Sequence, residues 1–168
     1  MQNKIFLFFL IVFNLLSIHT HGSDQISFDV TEIEIIDGGN KIIGKNRGTI
    51  TTDNGITIEA NQFEFDKIKN IIRAEGNIII EDQLNNYNFS AQNVLYIKNK
   101  ERIELKGKVE ASIDTNYKFN SDNIVILRND MLISSDAGAT ILDNINQTRY
   151  EISKFNYSLK EEILKGEK

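Results

Sequence analysis

The sequence predicts an all-β chain built from tandem strand repeats. Three observations predict it. Apolar and polar residues alternate at a period of two from Ile26 onward, turn residues separate the alternating runs, and chain segments recur 31 positions apart. No stretch after residue 22 shows the 3.6-residue period of an amphipathic helix.

The first 22 residues stand apart. Lys4 gives a positive start, Ile5–Phe13 is an unbroken apolar run, and Thr20-His21-Gly22 places small residues three and one positions before a cleavage point. Asn14 interrupts the apolar run, which ends near Ile18, short of the about 20 residues a bilayer span needs. Residues 1–22 are therefore expected to be a secretory signal peptide, and 23–168 the functional domain.

Alternation follows in Ser27-Phe28-Asp29-Val30, Glu32-Ile33-Glu34-Ile35 and Gly55-Ile56-Thr57-Ile58-Glu59-Ala60. It continues in Asn77–Glu81, Asn86–Ala91 and Asn123–Leu127, and the richness in Ile, Val, Phe and Tyr suits pleated surfaces. Asp37-Gly38-Gly39-Asn40, Asp53-Asn54-Gly55, Asp82–Asn86 and Arg128-Asn129-Asp130 read as the turns between.

The repeat is clearest where Ala60-Asn61-Gln62-Phe63-Glu64-Phe65-Asp66-Lys67 returns as Ala91-Gln92-Asn93-Val94-Leu95-Tyr96-Ile97-Lys98. Ile71–Ile80 returns likewise as Arg102–Ala111, with Gly76 and Gly107 coinciding. Weaker copies run from Ser121 to Ser134 and from Ser153 to Gly166, and a partial one from Ile42 to Ala60. Each unit reads as a strand ending in an aromatic, a polar turn, a second strand, a glycine (Gly76, Gly107 or Gly166) for a bend or a positive φ, and a third strand. Stacked units of this kind share one continuous core. Glu64, Arg73, Glu75, Glu81, Lys106, Lys108 and Glu110 should face water, and the apolar residues between them should face inward. On composition alone that inward set is a hydrophobic core.

Composition also excludes most chemistry. The chain has no Cys, and both of its histidines, His19 and His21, lie in the signal segment. The domain thus lacks thiolate nucleophiles, thiolate metal sites and the commonest general base. After loss of Lys4 it carries 24 acidic and 18 basic side chains, which argues against a nucleic-acid partner. The carboxylates Glu32/Glu34 and Glu161/Glu162 have no recognisable partner in the sequence and read as solvated charge. No catalytic residue, metal ligand or cofactor is assigned, and the protein is expected not to be an enzyme.

The order Ala-(Asn/Gln)-x-(Phe/Val)-x-(Phe/Tyr)-x-Lys, then Ile-x-(Ala/Leu)-x-Gly-(Asn/Lys)-(Ile/Val), resembles the OstA-like repeat of lipopolysaccharide transport. The stretch Phe63–Ile78 is the best match, and the resemblance covers residues 28–168. It implies a twisted, open β-jellyroll in the periplasm, associated with the outer membrane. It further implies that lipid A acyl chains slide along an apolar interior while the sugar head stays in solvent, and that jellyroll proteins of the Lpt type join edge to edge by strand addition. Under this resemblance the inward residues become a lipid-binding groove: Phe63, Phe65, Ile78, Ile80, Phe89, Tyr96, Val109, Phe119, Ile124 and Ile126. Its mouth should be incompletely closed.

The fourth repeat stops at Gly166-Glu167-Lys168, where earlier copies continue into a further strand. That ending points to the N-terminal region of an LptD-like assembly protein, whereas a chain complete at this length would be an LptA-type periplasmic bridge. Two readings from other classes remain: a β-helical enzyme acting on polysaccharide, whose rungs are usually shorter and more numerous, and a surface adhesin.

Overall fold

Alternation at a period of two can bury one face of a strand only if that face meets a second apolar surface. The chain supplies that surface by folding its own sheet over. The computed structural model describes residues 26–113 and 116–167, so the expected signal segment, 1–22, lies outside the described residues. Within these bounds the strands are β1 (Ile26–Ile36), β2 (Lys41–Thr52), β3 (Ile56–Ala60), β4 (Gln62–Asp66), β5 (Ile71–Asp82), β6 (Tyr87–Ile97) and β7 (Arg102–Ile113). There follow β8 (Tyr117–Leu127), β9 (Leu132–Ser135), β10 (Ala139–Asp143), β11 (Thr148–Ile152), β12 (Lys154–Ser158) and β13 (Ile163–Glu167). No α-helix occurs among the described residues.

All strand pairs are antiparallel and join consecutive segments of the chain, so the sheet is a meander. Its long strands serve two half-sheets. β2 pairs through Lys41–Gly44 with β4 and through Gly48–Thr51 with β3. β8 likewise pairs through Tyr117–Ser121 with β10 and through Val125–Leu127 with β9. The pairs β3/β4, β9/β10 and β11/β12 are each one bent strand, interrupted at a common corner. The upper half-sheet holds β4, β9, β12 and β13, and the lower half-sheet holds β3, β10 and β11. The result is a twisted β-jellyroll, folded along the corner.

Two devices alternate along that corner. In β2, β5 and β7 the register slips by one residue, at Asn46-Arg47, Gly76-Asn77 and Gly107-Lys108, and all six of these residues have positive φ. Side-chain parity is kept across the slip: Ile72 and Ala74 before it, and Ile78 and Ile80 after it, are all buried. In the strands between, parity reverses instead. Ala60 and Phe63 are buried on either side of Asn61-Gln62, and Ala91 and Val94 on either side of Gln92-Asn93. Two consecutive outward residues turn such a strand through the corner while both of its arms keep their apolar face inward.

The devices interlock. Asn61 donates its backbone N–H to the carbonyls of Glu75 and Gly76 at 3.2 and 3.0 Å, and a Cβ on Gly76 would meet Asn61 Nδ2 at 2.7 Å. A Cβ on Gly107 would lie 3.0 Å from Gln92 Cβ. The φ values of Gly76 and Gly107 are +80° and +81°, a region that side chains rarely adopt. The bend expected of Gly76 and Gly107 is thus present, but it lies inside one continuous strand and not between two. Gly166 plays no such part: it pairs with Phe155 without a positive φ, and Gly138, at +75°, turns the corner of the third repeat.

Cross-strand partners form ladders that run the length of each half-sheet. In the upper one, Ile35, Ile42, Phe65, Ile72, Tyr96, Ile103, Ile126, Ile133, Tyr157 and Leu164 stand opposite one another in turn. In the lower one the order is Phe28, Ile50, Ile58, Ile80, Phe89, Ala111, Phe119, Ile141 and Tyr150. The two faces meet in aromatic contacts near each end: Phe28 with Phe65 at 6.1 Å between centroids, and Phe119 with Phe155 and Tyr157 at 5.2 and 5.4 Å.

The Gly76→Ala variant is expected to lose about 2 kcal/mol of stability, because both φ and the Asn61 contact oppose a methyl group there. Urea unfolding of this variant, and of Gly76→Ala combined with Asn61→Ala, checks it: the second change should recover part of the loss, since the two residues touch.

Candidate functional site

The site is built from the two ladders and from the rim where the half-sheets face each other opposite the corner. All ten residues expected to line the groove lie on the inner face, none more than 7% exposed. Phe63, Phe65, Tyr96, Ile124 and Ile126 belong to the upper half-sheet, and Ile78, Ile80, Phe89, Val109 and Phe119 to the lower. The outward set also stands as expected: Arg73, Glu75, Glu81, Lys106, Lys108 and Glu110 are exposed and Glu64 is half-buried.

At the two ends the apolar face does not stop at a sealed edge. Ile35, the first member of the upper ladder, is 61% exposed, and Ile33, two residues before it on the same face, 48%. Tyr150, the last member of the lower ladder, is 40% exposed. Inward-facing apolar surface therefore continues to both ends of the jellyroll and is wet there.

In the middle, the mouth is bridged by polar side chains. Turns of the upper rim supply Lys98, Glu101 and Arg128, and the lower rim supplies Asp53, Asn54 and Asp82. Lys98 Nζ donates to Asp53 Oδ1 at 2.9 Å. Asn54 Nδ2 donates to the Tyr96 hydroxyl and to Glu101 Oε1, both at 2.6 Å, and the Tyr96 hydroxyl donates to Glu101 at 2.9 Å. Arg128 joins the rims twice more, through Nε to Asp82 Oδ2 and Nη2 to the Asn54 carbonyl, both at 3.0 Å, while its Nη1 pairs with Glu101.

Burial and charge together set the protonation of this clasp. The Lys98 hydrogen bond holds the Asp53 carboxyl below the usual carboxylate range. Burial pushes the Tyr96 phenol well above its ordinary value. Burial opposes the Arg128 charge, but hydrogen bonding and attraction from Asp82, and then attraction from Glu101, more than compensate and raise its pKa. The clasp is thus a saturated set of mutually bonded groups over an apolar interior. It is suited to holding two sheets together and offers no unpaired nucleophile. Among the described residues no group of three His, Cys, Asp or Glu side chains could hold a metal ion.

Just inside the clasp lies a half-enclosed cavity of about 150 Å³. Phe89, Ile103 and Ile126 form its buried wall, and Arg128, Asp82, Met131 and Leu159 stand nearer the rim.

The sequence reading found the apolar face and missed the clasp. A signal was present: Lys98 and Arg128 occupy the basic position that closes the repeat motif, the place held by Lys67 in the first copy. What could not be read was that two of these basic residues find acids on the opposite rim.

No protein-family model matches the chain, and no curated protein matches it in sequence. Among solved structures the chain is similar to LptH of Pseudomonas aeruginosa, described as the LptA-homologous periplasmic component of the conserved lipopolysaccharide transport device. The likeness covers 85% of this chain and 82% of that one, at 12% identity and a TM-score of 0.35. At that identity and score it says nothing of what this chain binds.

Arg128→Met is expected to lose about 3 kcal/mol, because it leaves the buried Asp82 carboxylate without its cation, held by Asn85 alone. Combining it with Asp82→Asn should restore much of that loss. Urea midpoints of the two variants test this: equal losses would show that Asp82 does not depend on Arg128.

Proposed function

We propose that this domain is a passive conduit for lipopolysaccharide in the periplasm, holding lipid A acyl chains between its half-sheets. One observation carries the reading: the inner face is a continuous apolar track whose ends are left exposed instead of capped. A domain that needed its interior only as a core would cover Ile33 and Ile35, since leaving apolar area wet forgoes about 25 cal/mol per Å². A track for acyl chains needs large apolar side chains along its whole length, and both ladders provide them. The OstA-like repeat motif, carried by Phe63–Ile78, supports the same reading from the sequence side.

The surroundings fit an anionic head that stays outside. Adjoining turns of the upper rim, linked by the Lys98 N–H to the Asn70 carbonyl at 3.0 Å, carry the exposed Lys67, Lys69 and Lys100. The lower-rim turns at residues 53–55, 83–86 and 144–147 contain no basic residue. A phosphorylated sugar lying along the upper rim would meet cations there.

Edges complete the proposal. Within the described residues β1, β11 and β13 each pair on one side only, leaving backbone donors and acceptors for another strand. A second jellyroll pairing at such an edge would extend both ladders, which accounts for why their terminal members are apolar. In this reading the chain acts without cofactor or bond-breaking chemistry, beside the outer membrane, either as a stand-alone bridge of the LptA kind or as the N-terminal region of an LptD-like protein.

Photocrosslinking amino acids at positions 65, 89 and 119 are expected to capture lipopolysaccharide, while one at position 64 on the outer face captures none. Capture only at position 64 would reverse the assignment of faces. Capture at none of them, with glycan cleavage detected instead, would replace transport by an enzymatic role.

A further inference from the structure

The interior as folded is nearly full, so a conduit needs a place where its sheets part. Three routes lead inward. The corner is crossed by the unbroken strands β5 to β8, and the hollow beside it at Lys108, Ser121 and Gly138 is lined largely by polar and charged residues. Inward of the exposed Ile35 and Tyr150, aromatic contacts span the half-sheets, Phe28 with Phe65 towards one end and Phe119 with Phe155 and Tyr157 towards the other, and a chain entering there would have to displace packed rings. The mouth differs: what bridges it in the middle is polar, and water can replace those bonds one at a time. The void of about 150 Å³ lies directly inside that bridge. Its inner wall is apolar, and Asp82, Asn85 and Arg128 complete its lining at the rim.

The geometry points to a lateral port at the clasp: an acyl chain of an amphiphile enters sideways between Arg128 and Asp82, and its tail first occupies the cavity walled by Phe89, Ile103, Ile126, Met131 and Leu159. This deepens the conduit reading and rests on it. Arg128 is the residue on which the port turns, because its one guanidinium bonds to Asp82 and to the Asn54 carbonyl on the lower rim and to Glu101 on the upper. Swinging it outward, together with release of the Asn54 side chain from Tyr96 and Glu101, separates the rims there without breaking a strand pairing. The Lys98–Asp53 bridge beside it is a third strap across the same gap. Neither Arg128 nor Lys98 needs to be lost from the fold, since both are long side chains on turns whose own backbone bonds persist, such as Arg128 N–H to the Glu101 carbonyl at 3.0 Å.

The chain has no native cysteine, so the straps can be replaced cleanly. In the Asp53→Cys, Lys98→Cys protein, a short bifunctional thiol reagent joined through reducible disulfides would span the gap that the lysine side chain now spans. With purified lipid A as probe, loading of the bridged form is expected to be at least about tenfold slower than that of the same protein after reduction. Unchanged loading of the bridged form, with lipid A still bound, would overturn the port and leave the conduit standing. Failure of lipid A to bind either form would overturn the conduit, and the port with it. A second measurement needs no variant. Met131 is the only methionine besides Met1, so its labelled methyl group reports on the cavity alone once the signal segment is absent. Decyl phosphate is expected to shift that resonance, and a methyl signal unmoved at saturating decyl phosphate would overturn the cavity as the first binding position.

Discussion

Everything in this fold depends on how a long antiparallel meander turns a corner without turning its apolar face outward. The contact that achieves this is Asn61 against Gly76, repeated one unit later as Gln92 against Gly107. Two kinds of bend meet at this corner, and a one-residue slip in register separates each from its neighbour. Here the two kinds alternate. The bulged strand keeps its parity by placing two residues at positive φ, and its neighbour reverses parity across two polar residues. The glycine leaves room where the polar side chain of the neighbour crosses it. Two flat ladders thereby become the facing walls of one interior.

The repeat motif gains a physical meaning from this. Ala-Asn-Gln-Phe and Ala-Gln-Asn-Val hold apolar residues three positions apart, where simple alternation would hold them two or four apart. In a sequence this looks like an interruption of the strand. It is the corner itself. Alternation was therefore legible residue by residue, and every groove residue expected from it is on the inner face, from Phe63 to Ile126. The single long strand Ile71–Asp82 was not legible, because Gly76-Asn77 reads as a break when only local propensity is considered. Gly166 was misread for the same reason in the other direction: its position in the repeat matches, but its backbone has no bulge to serve.

The clasp was hidden for a different reason. Asp53, Asp82, Lys98, Glu101 and Arg128 are ordinary turn residues in sequence, as much as 75 positions apart between Asp53 and Arg128. Only the corner brings the turns at the free ends of the upper strands against those of the lower. Once there, burial makes their pairing consequential, since Arg128 and Asp82 side chains are only 11% and 4% exposed. The same fold that puts apolar ladders face to face thus puts charged turns face to face at the mouth. An apolar interior under a polar seam is what a carrier of amphiphiles needs at rest.

The central claim is that the inner faces of both half-sheets contact acyl chains together, as one track. Intermolecular nuclear Overhauser effects between lipid A methylenes and labelled isoleucine methyls measure this directly, because Ile78, Ile79 and Ile80 present both faces of one strand side by side. The account predicts contacts to Ile80 of the lower half-sheet and Ile103 of the upper, and none to Ile79, which points outward and is 42% exposed. Contacts confined to Ile79 and to the exposed turn residue Ile68 would contradict it.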